Sequence, residues 1–428
     1  MAERTITGRD PTTGESVAVS LAHGRIAAVR RGPARESRWL SAGLVDLQVN
    51  GFCGHDVNAA SLTVDTVAAL TRALHRHGVT TYVPTLVTAP HERTASALDV
   101  IARARRADPL SAHAIPYVHL EGPHISDQEG PRGVHDPAFV RPPSTAEFDA
   151  WQRAGDGLVG MVTVSPHHAG IKAYIADLTA RGVHVAIGHT HADGEQVRAA
   201  VAAGARLSTH LGNGAHAVLP RHPNYLWAQL ACDDLTAGFI ADGHHLPDDT
   251  LRAMLRAKGL SRALLVSDAV ALAGLAPGRY ETPVGGHVDL TPDGRLTAAG
   301  TPYLAGAVAG LADGVARAVR AAGIGLHEAL ALATVRPGRF AGGRGRFAVG
   351  APADLFRFAW APGDATLAVD AVWVQGTQMY GEAADEAAVP GSATETGGDG
   401  FGTGDAGTGN SPASGRPSDA GARGEAPR

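Results

Sequence analysis

Eight short apolar runs, separated by amphipathic stretches, restrict the fold more tightly than anything else in the chain. They are Leu44–Val49, Thr80–Leu86, Ile115–Leu120, Leu158–Val164, Val183–Ile187, Arg206–His210, Leu235–Ile240 and Ala263–Val266. Short apolar runs alternating with amphipathic stretches are the pattern of repeated βα units and a parallel sheet. Helical spacing is visible between them: Val64, Val67, Ala68 and Leu74 share one face, as do Leu251, Met254 and Leu255. Eight such units favour a closed (β/α)8 TIM-like barrel over an open sheet. The expected fold class is therefore α/β, with the barrel spanning residues 43–345.

The flanks read differently. Ser16–Leu21 and Arg25–Val29 are short strand-like runs joined at His23-Gly24, a plausible hairpin turn. Strand character returns at Ala353–Phe358 and Ala371–Val374, around Pro362-Gly363. We expect the two ends, 1–42 and 346–380, to combine in a small β-sandwich domain. From 381 to 428 the chain is Gly, Ala, Ser, Thr, Asp and Glu with almost no large apolar residues, the composition of a disordered low-complexity tail. The Gly- and Pro-rich stretch 274–300 sits between ordered segments and reads as an insertion or lid beside the last barrel strand.

Charge narrows the partners. A formal net charge of −5 over 428 residues supplies no basic field for nucleic acid or an anionic membrane, which leaves small molecules as the expected ligands. Two cysteines, Cys53 and Cys232, form no disulfide framework and no C-x-x-C motif. The first ten residues lack a signal-peptide pattern, and no apolar run is long enough to cross a membrane. These features point to the cytoplasm.

Polar residues end strand after strand: Asp46, Gln48 and Asn50 on the first, His119, Glu121 and His124 on the third, His189 on the fifth, His210 on the sixth, and Asp268 on the eighth. In a (β/α)8 barrel these ends share the face that carries the active site. A carboxylate with two histidines matches a catalytic zinc site, three protein ligands and one open position. Each residue also has an ordinary reading, Glu121 as a loop or N-cap carboxylate and Asp268 as a turn cap. Most of the 21 histidines must be ordinary too, and His167, His168, His184 and His191 are read that way.

Five segments in series carry a family resemblance: His119-Leu-Glu-Gly-Pro-His124, Gly188-His-Thr190, Thr209-His-Leu-Gly-Asn213, Ile240-Ala-Asp-Gly-His-His245 and Val266-Ser-Asp-Ala269. Together they resemble the N-acetylglucosamine-6-phosphate deacetylase family of the amidohydrolase superfamily, over roughly residues 1–380. The resemblance implies one divalent metal ion, zinc by preference, held by Glu121, His189 and His210, with Asp268 as catalytic acid–base. Iron, cobalt and manganese can share such ligands. Where many superfamily members have His-x-His on the first strand, this chain has Gln48-Val-Asn50, which favours one metal over a bridged pair. Gln48 and Asn50 are then either hydrogen-bonding pins or substrate contacts.

The resemblance further implies an amino-sugar substrate surrounded by His135, Asn213, Gly214, Arg221 and His245. Backbone N–H groups of Asn213 and Gly214 would serve as neutral donors, and Arg221 would reach a phosphate across a homodimer interface. The segment Gly212-Asn-Gly-Ala-His-Ala-Val-Leu-Pro-Arg-His-Pro223 departs from the family's Phe-Asn-Ala-Met and Arg-Glu-Pro. That departure keeps open another N-acyl amino sugar, including an unphosphorylated one. A catalytically silent sugar-binding barrel is the remaining alternative.

Overall fold

A computed structural model describes residues 4–381; the expected tail, apart from Gly381, lies outside the described residues. All eight apolar runs are strands of one parallel sheet. We number them β1 (Leu44–Val49), β2 (Val79–Val87), β3 (Val118–Glu121), β4 (Val159–Val164), β5 (His184–Ile187), β6 (Leu207–Ser208), β7 (Thr236–Ile240) and β8 (Ala263–Val266). Each pairs with the next in parallel register. The sheet comes round on itself just past its last strand, where Asn50 N–H donates to Ala269 O at 2.8 Å and Asp268 N–H donates to Gln48 O at 3.0 Å. Those closing bonds place Gln48, Asn50 and Asp268 side by side.

Boundaries differ from expectation where local chemistry intervenes. The third strand begins at Val118, not Ile115, because a helix Pro109–Ala114 runs up to Ile115 and Pro116 follows. The sixth is two residues long, because the backbone leaves extended geometry by His210, whose φ is +24°. The helix Val64–Arg76 starts at Thr63, whose hydroxyl accepts from Thr66 N–H, and buries Val67, Leu70 and Leu74 against the barrel. Helix Asp248–Lys258 buries Leu251, Met254 and Leu255.

Both chain ends meet in a separate, mainly antiparallel sheet of seven strands. In spatial order these are 377–380, 368–374, 355–359, 39–42, 4–9, 16–22 and 25–31. His23 (φ +51°) and Gly24 (φ +74°) make the expected hairpin turn. The outer strand bonds back to the other end, Ile26 N–H to Ala351 O at 3.0 Å and Ala353 N–H to Gly24 O at 2.9 Å. The sheet thereby rolls around a core of Ile6, Val19, Leu21, Leu40, Leu355 and Trp373.

The Gly- and Pro-rich insertion is a three-stranded antiparallel sheet, Gly278–Thr282, Gly286–Leu290 and Leu296–Ala298. Its small core of Val288, Leu290, Leu296 and Leu272 holds it beside the barrel mouth.

Candidate active site

At the C-terminal ends of the barrel strands lies a cavity of about 270 Å3, lined by Glu121, His189, His210, Asp268, Asn50, His135, Asn213, Gly214 and His245 among others. Its floor is built from residues that leave regular strand geometry. His189 (φ +46°), His210 (φ +24°) and Asp268 (φ +51°) are three of seven described non-glycine residues with positive φ. Backbone of this kind is costly for an L residue and persists where the surroundings over-determine it, often at a functional site.

Glu121 Oε1 lies 2.9 Å from His210 Nε2 and 3.3 Å from His189 Nε2, and the two imidazole nitrogens are 3.1 Å apart. His189 Nδ1 is 2.8 Å from Pro131 O, a partner that can only accept, so the ring proton sits on Nδ1 and Nε2 offers a lone pair. A single proton on His210 Nε2 can serve Glu121 or His189, not both. Three electron-rich atoms thus converge with too few protons among them, which is the donor set a divalent cation requires; the backbone acceptor behind His189 is the outer-shell support such ligands usually have. Burial works to raise the Glu121 carboxyl, but hydrogen bonds and charge from His189 and His210 hold it well below the usual range.

The ring of His189 is tightly enclosed. His135 packs edge-on at 4.4 Å between centroids, and Gly214 approaches from the loop after β6. A methyl group on Gly214 would come within 2.8 Å of His189 Nδ1, and its φ of +55° is itself a glycine conformation. Gly214 is therefore required by close approach to a ligand side chain.

Asp268 is buried beside this group. Its Oδ1 accepts from Asn50 Nδ2 at 2.8 Å and from Gln48 Nε2 at 3.1 Å; Gln48 Nε2 also donates to Glu121 Oε1 at 2.9 Å. Of the two roles open to the first-strand amides, Gln48 takes that of a pin, bridging the two carboxylates. Burial first, and the Glu121 charge second, push the Asp268 carboxyl up to about 6. His245 Nδ1 lies 2.7 Å from Asp242 Oδ2, which fixes the ring at the cavity wall. Burial alone would raise Asp242, but its bonds to His245 and to the His244 and His245 backbone bring it to about 2. His135 Nδ1 meets Thr88 Oγ1 at 2.9 Å, and burial with the nearby His189 lowers it to about 3, leaving it neutral.

Some expected contributors fall elsewhere. His119 sits below the floor, 2.7 Å from Thr163 Oγ1, with its pKa pushed down to about 4 by burial. His124 turns away and bonds Arg141 O at 3.1 Å. Asp46 lies deeper, accepting from Ser267 N–H at 3.1 Å, and burial pushes it up to about 7. None of these three lines the cavity. The Asn213 N–H is spent on His210 O at 3.0 Å and is not free to bind a ligand. Arg221 is exposed and outside the cavity of its own chain.

The cavity also recruits residues the sequence did not single out: Asn58 after β1, and Thr282, Val284 and Tyr303 from the insertion and the segment after it. Tyr303 Oη donates to Glu129 Oε1 at 2.8 Å, tying that segment to the loop after β3. Its place among Gly and Pro residues carried no periodic signal.

A (β/α)8 barrel holding a carboxylate, two imidazoles and a neighbouring buried aspartic acid at its mouth defines a metal-dependent hydrolase. Residues 39–379 match the amidohydrolase family. Among relatives, the N-acetylgalactosamine-6-phosphate deacetylase of Shewanella sp. (strain ANA-3) is 32% identical over 80% of this chain and 83% of its own. The N-acetylglucosamine-6-phosphate deacetylase of Bos taurus is 36% identical over 80% and 83%. A mutant of the Mycobacterium smegmatis N-acetyl-D-glucosamine-6-phosphate deacetylase, solved with N-acetyl-D-glucosamine-6-phosphate, superposes with a TM-score of 0.79 at 32% identity, covering 89% of this chain and 100% of that one. The chain belongs to the amidohydrolase family, within its N-acetylglucosamine-6-phosphate deacetylase branch. Membership implies a divalent metal, and among the described residues no helix is long and apolar enough to cross a membrane.

Proposed function

We propose that this protein hydrolyses the acetamide of N-acetylglucosamine 6-phosphate, releasing acetate and glucosamine 6-phosphate. The observation that carries the reading is the joining of Glu121 and Asp268 through one amide, Gln48 Nε2, which sets the acid–base group directly beside the three-atom donor cluster. Glu121, His189 and His210 would hold a single zinc ion; two imidazoles and a carboxylate suit it, and the first strand offers amides where a second ion would need imidazoles. Such an ion supplies Lewis acidity, making water more acidic and an acyl carbonyl more electrophilic.

The chain's own groups do the remaining work. Asp268, anchored through Oδ1 by Asn50 and Gln48, takes the proton of the attacking water on its other oxygen. It then returns that proton to the departing nitrogen, so that the sugar leaves as an amine. A carboxyl near 6 can play both parts around neutral pH. His135 and His245, each fixed through Nδ1, present their remaining ring nitrogens to the sugar. The insertion closes the cavity wall with Thr282, Val284 and Tyr303, and the volume fits one small ligand.

Arg221, exposed in its own chain, serves the phosphate of a sugar bound in a second copy, as a homodimer would allow. Its planar guanidinium suits paired contacts to phosphate oxygens. The catalytic domain is 43–345, and the free cysteines Cys53 and Cys232 accord with a cytoplasmic setting. N-acetylgalactosamine 6-phosphate is the second reading, favoured by the names of two relatives.

Acetate release by zinc-loaded protein decides among these. The expected result is highest kcat/KM on N-acetylglucosamine 6-phosphate and at least a tenfold lower value on both the galactosamine epimer and N-acetylglucosamine. Equal turnover of the unphosphorylated sugar would refute the phosphate assignment, and a preference for the epimer would reassign the sugar.

A further inference from the structure

A second group of metal-ligating side chains lies on the same face of the barrel and shares no residue with the first. Asp127 follows β3, His167 follows β4 and His191 follows β5, and one ligand atom from each lies within 4.8 Å of the others. The two imidazole rings are 4.0 Å apart between centroids. Each ring is held from behind by a buried serine: His167 Nδ1 is 2.6 Å from Ser165 Oγ, and His191 Nδ1 is 2.5 Å from Ser126 Oγ.

That pairing is open to the tautomer a metal needs. Ser165 Oγ can donate its own proton to Thr190 Oγ1 at 2.8 Å while accepting from His167 Nδ1. Ser126 Oγ already accepts from Gln128 N–H at 3.1 Å and has a second lone pair for His191 Nδ1. With both ring protons on Nδ1, both Nε2 atoms carry lone pairs, and the serines act as outer-shell groups that orient ligands. Asp127 is exposed and the two rings are half-buried, so an ion can reach the group from solvent.

We propose that Asp127, His167 and His191 form a second site for a divalent transition-metal ion, outside the catalytic cluster. Two imidazoles and one carboxylate select zinc, nickel, cobalt or copper over calcium or magnesium, which prefer all-oxygen sites. Water completes the coordination. The site lies next to the catalytic apparatus, since Ser126 N–H donates to His189 O at 2.8 Å. Asp127 also opens the loop that delivers Gly130, Gly133 and His135 to the cavity, so an ion here fastens that loop to the ends of β4 and β5.

The test is zinc stoichiometry by elemental analysis after equilibrium dialysis of metal-stripped full-length protein against low-micromolar free zinc. Wild type should hold two ions per chain. The double variant Asp127→Asn, His167→Ala should hold one and bind the second on the order of 100-fold more weakly. The variant Glu121→Gln, His210→Asn should also retain one. One ion in wild type, two in the Asp127→Asn, His167→Ala variant, or none in the Glu121→Gln, His210→Asn variant would each overturn the proposal. Two ions in that last variant would count against the catalytic cluster and leave this site standing.

Discussion

Replacing Gly214 by alanine tests how the metal cluster is positioned without touching any ligand. A methyl group at this position would sit 2.8 Å from His189 Nδ1 and 3.0 Å from its Cε1, closer than carbon atoms tolerate. The ring has no free direction of retreat, because His135 packs against it at 4.4 Å and Pro131 O holds Nδ1 at 2.8 Å. The methyl must therefore weaken the bond to Pro131 and turn Nε2 away from Glu121. Loss of such an orienting bond lowers metal affinity by about 10- to 100-fold, or about 1.4–2.7 kcal/mol. A φ of +55° adds roughly 1–2 kcal/mol of backbone strain to the folded state. Calorimetric zinc titration of the stripped variant should show the affinity loss, and thermal denaturation the lower stability. Zinc affinity within twofold of wild type would refute the claim that Gly214 positions His189.

Three other outcomes follow from the same geometry. Asp268→Asn, which keeps the shape but removes the proton acceptor, should lower kcat by about 10²- to 10⁴-fold with zinc still bound; unchanged turnover would remove Asp268 from the chemistry. The base form of Asp268 is the active one, and its pKa is raised by burial and by Glu121 to about 6. kcat/KM should therefore fall as pH drops through an acid limb at or below about 6, since a nearby cation can only lower a carboxyl's pKa; a limb above pH 7 would contradict the assignment. Arg221→Ala should raise KM for the phosphorylated sugar by about 10- to 100-fold, the worth of a charge-assisted contact, with kcat little changed; an unaltered KM would release Arg221 from phosphate binding.

Most barrel strands were legible because they are buried on both faces and read as apolar-rich runs, seen most plainly in Ala263–Val266. Residues at their ends stood out for the same reason, since Glu121, His189, His210 and Asp268 interrupt an apolar environment. Strands of the end sheet were harder to see. Arg4–Arg9, with four polar residues among six, is fixed by pairing with the following strand 16–22, and the four-residue Trp39–Ala42 by pairing with the distant 355–359, rather than by their own pattern. The insertion strand Gly278–Thr282 is largely exposed and lacks an apolar pattern, so the contribution of Thr282 to the cavity depended on tertiary placement. Direction was equally invisible: His119 and His124 flank Glu121 within one motif, yet one points beneath the site and the other away from it. His167 and His191 read as ordinary histidines, and only folding sets them beside Ser165, Ser126 and Asp127.

Anomalous diffraction at the zinc edge, from crystals of zinc-loaded protein, reaches the core of this description most directly. The expected map has a peak at the barrel mouth about 2.0–2.2 Å from Glu121 Oε1, His189 Nε2 and His210 Nε2, with the Asp268 carboxyl beside it and uncoordinated. An empty map at those three atoms, in crystals whose solution counterpart is active, would contradict it.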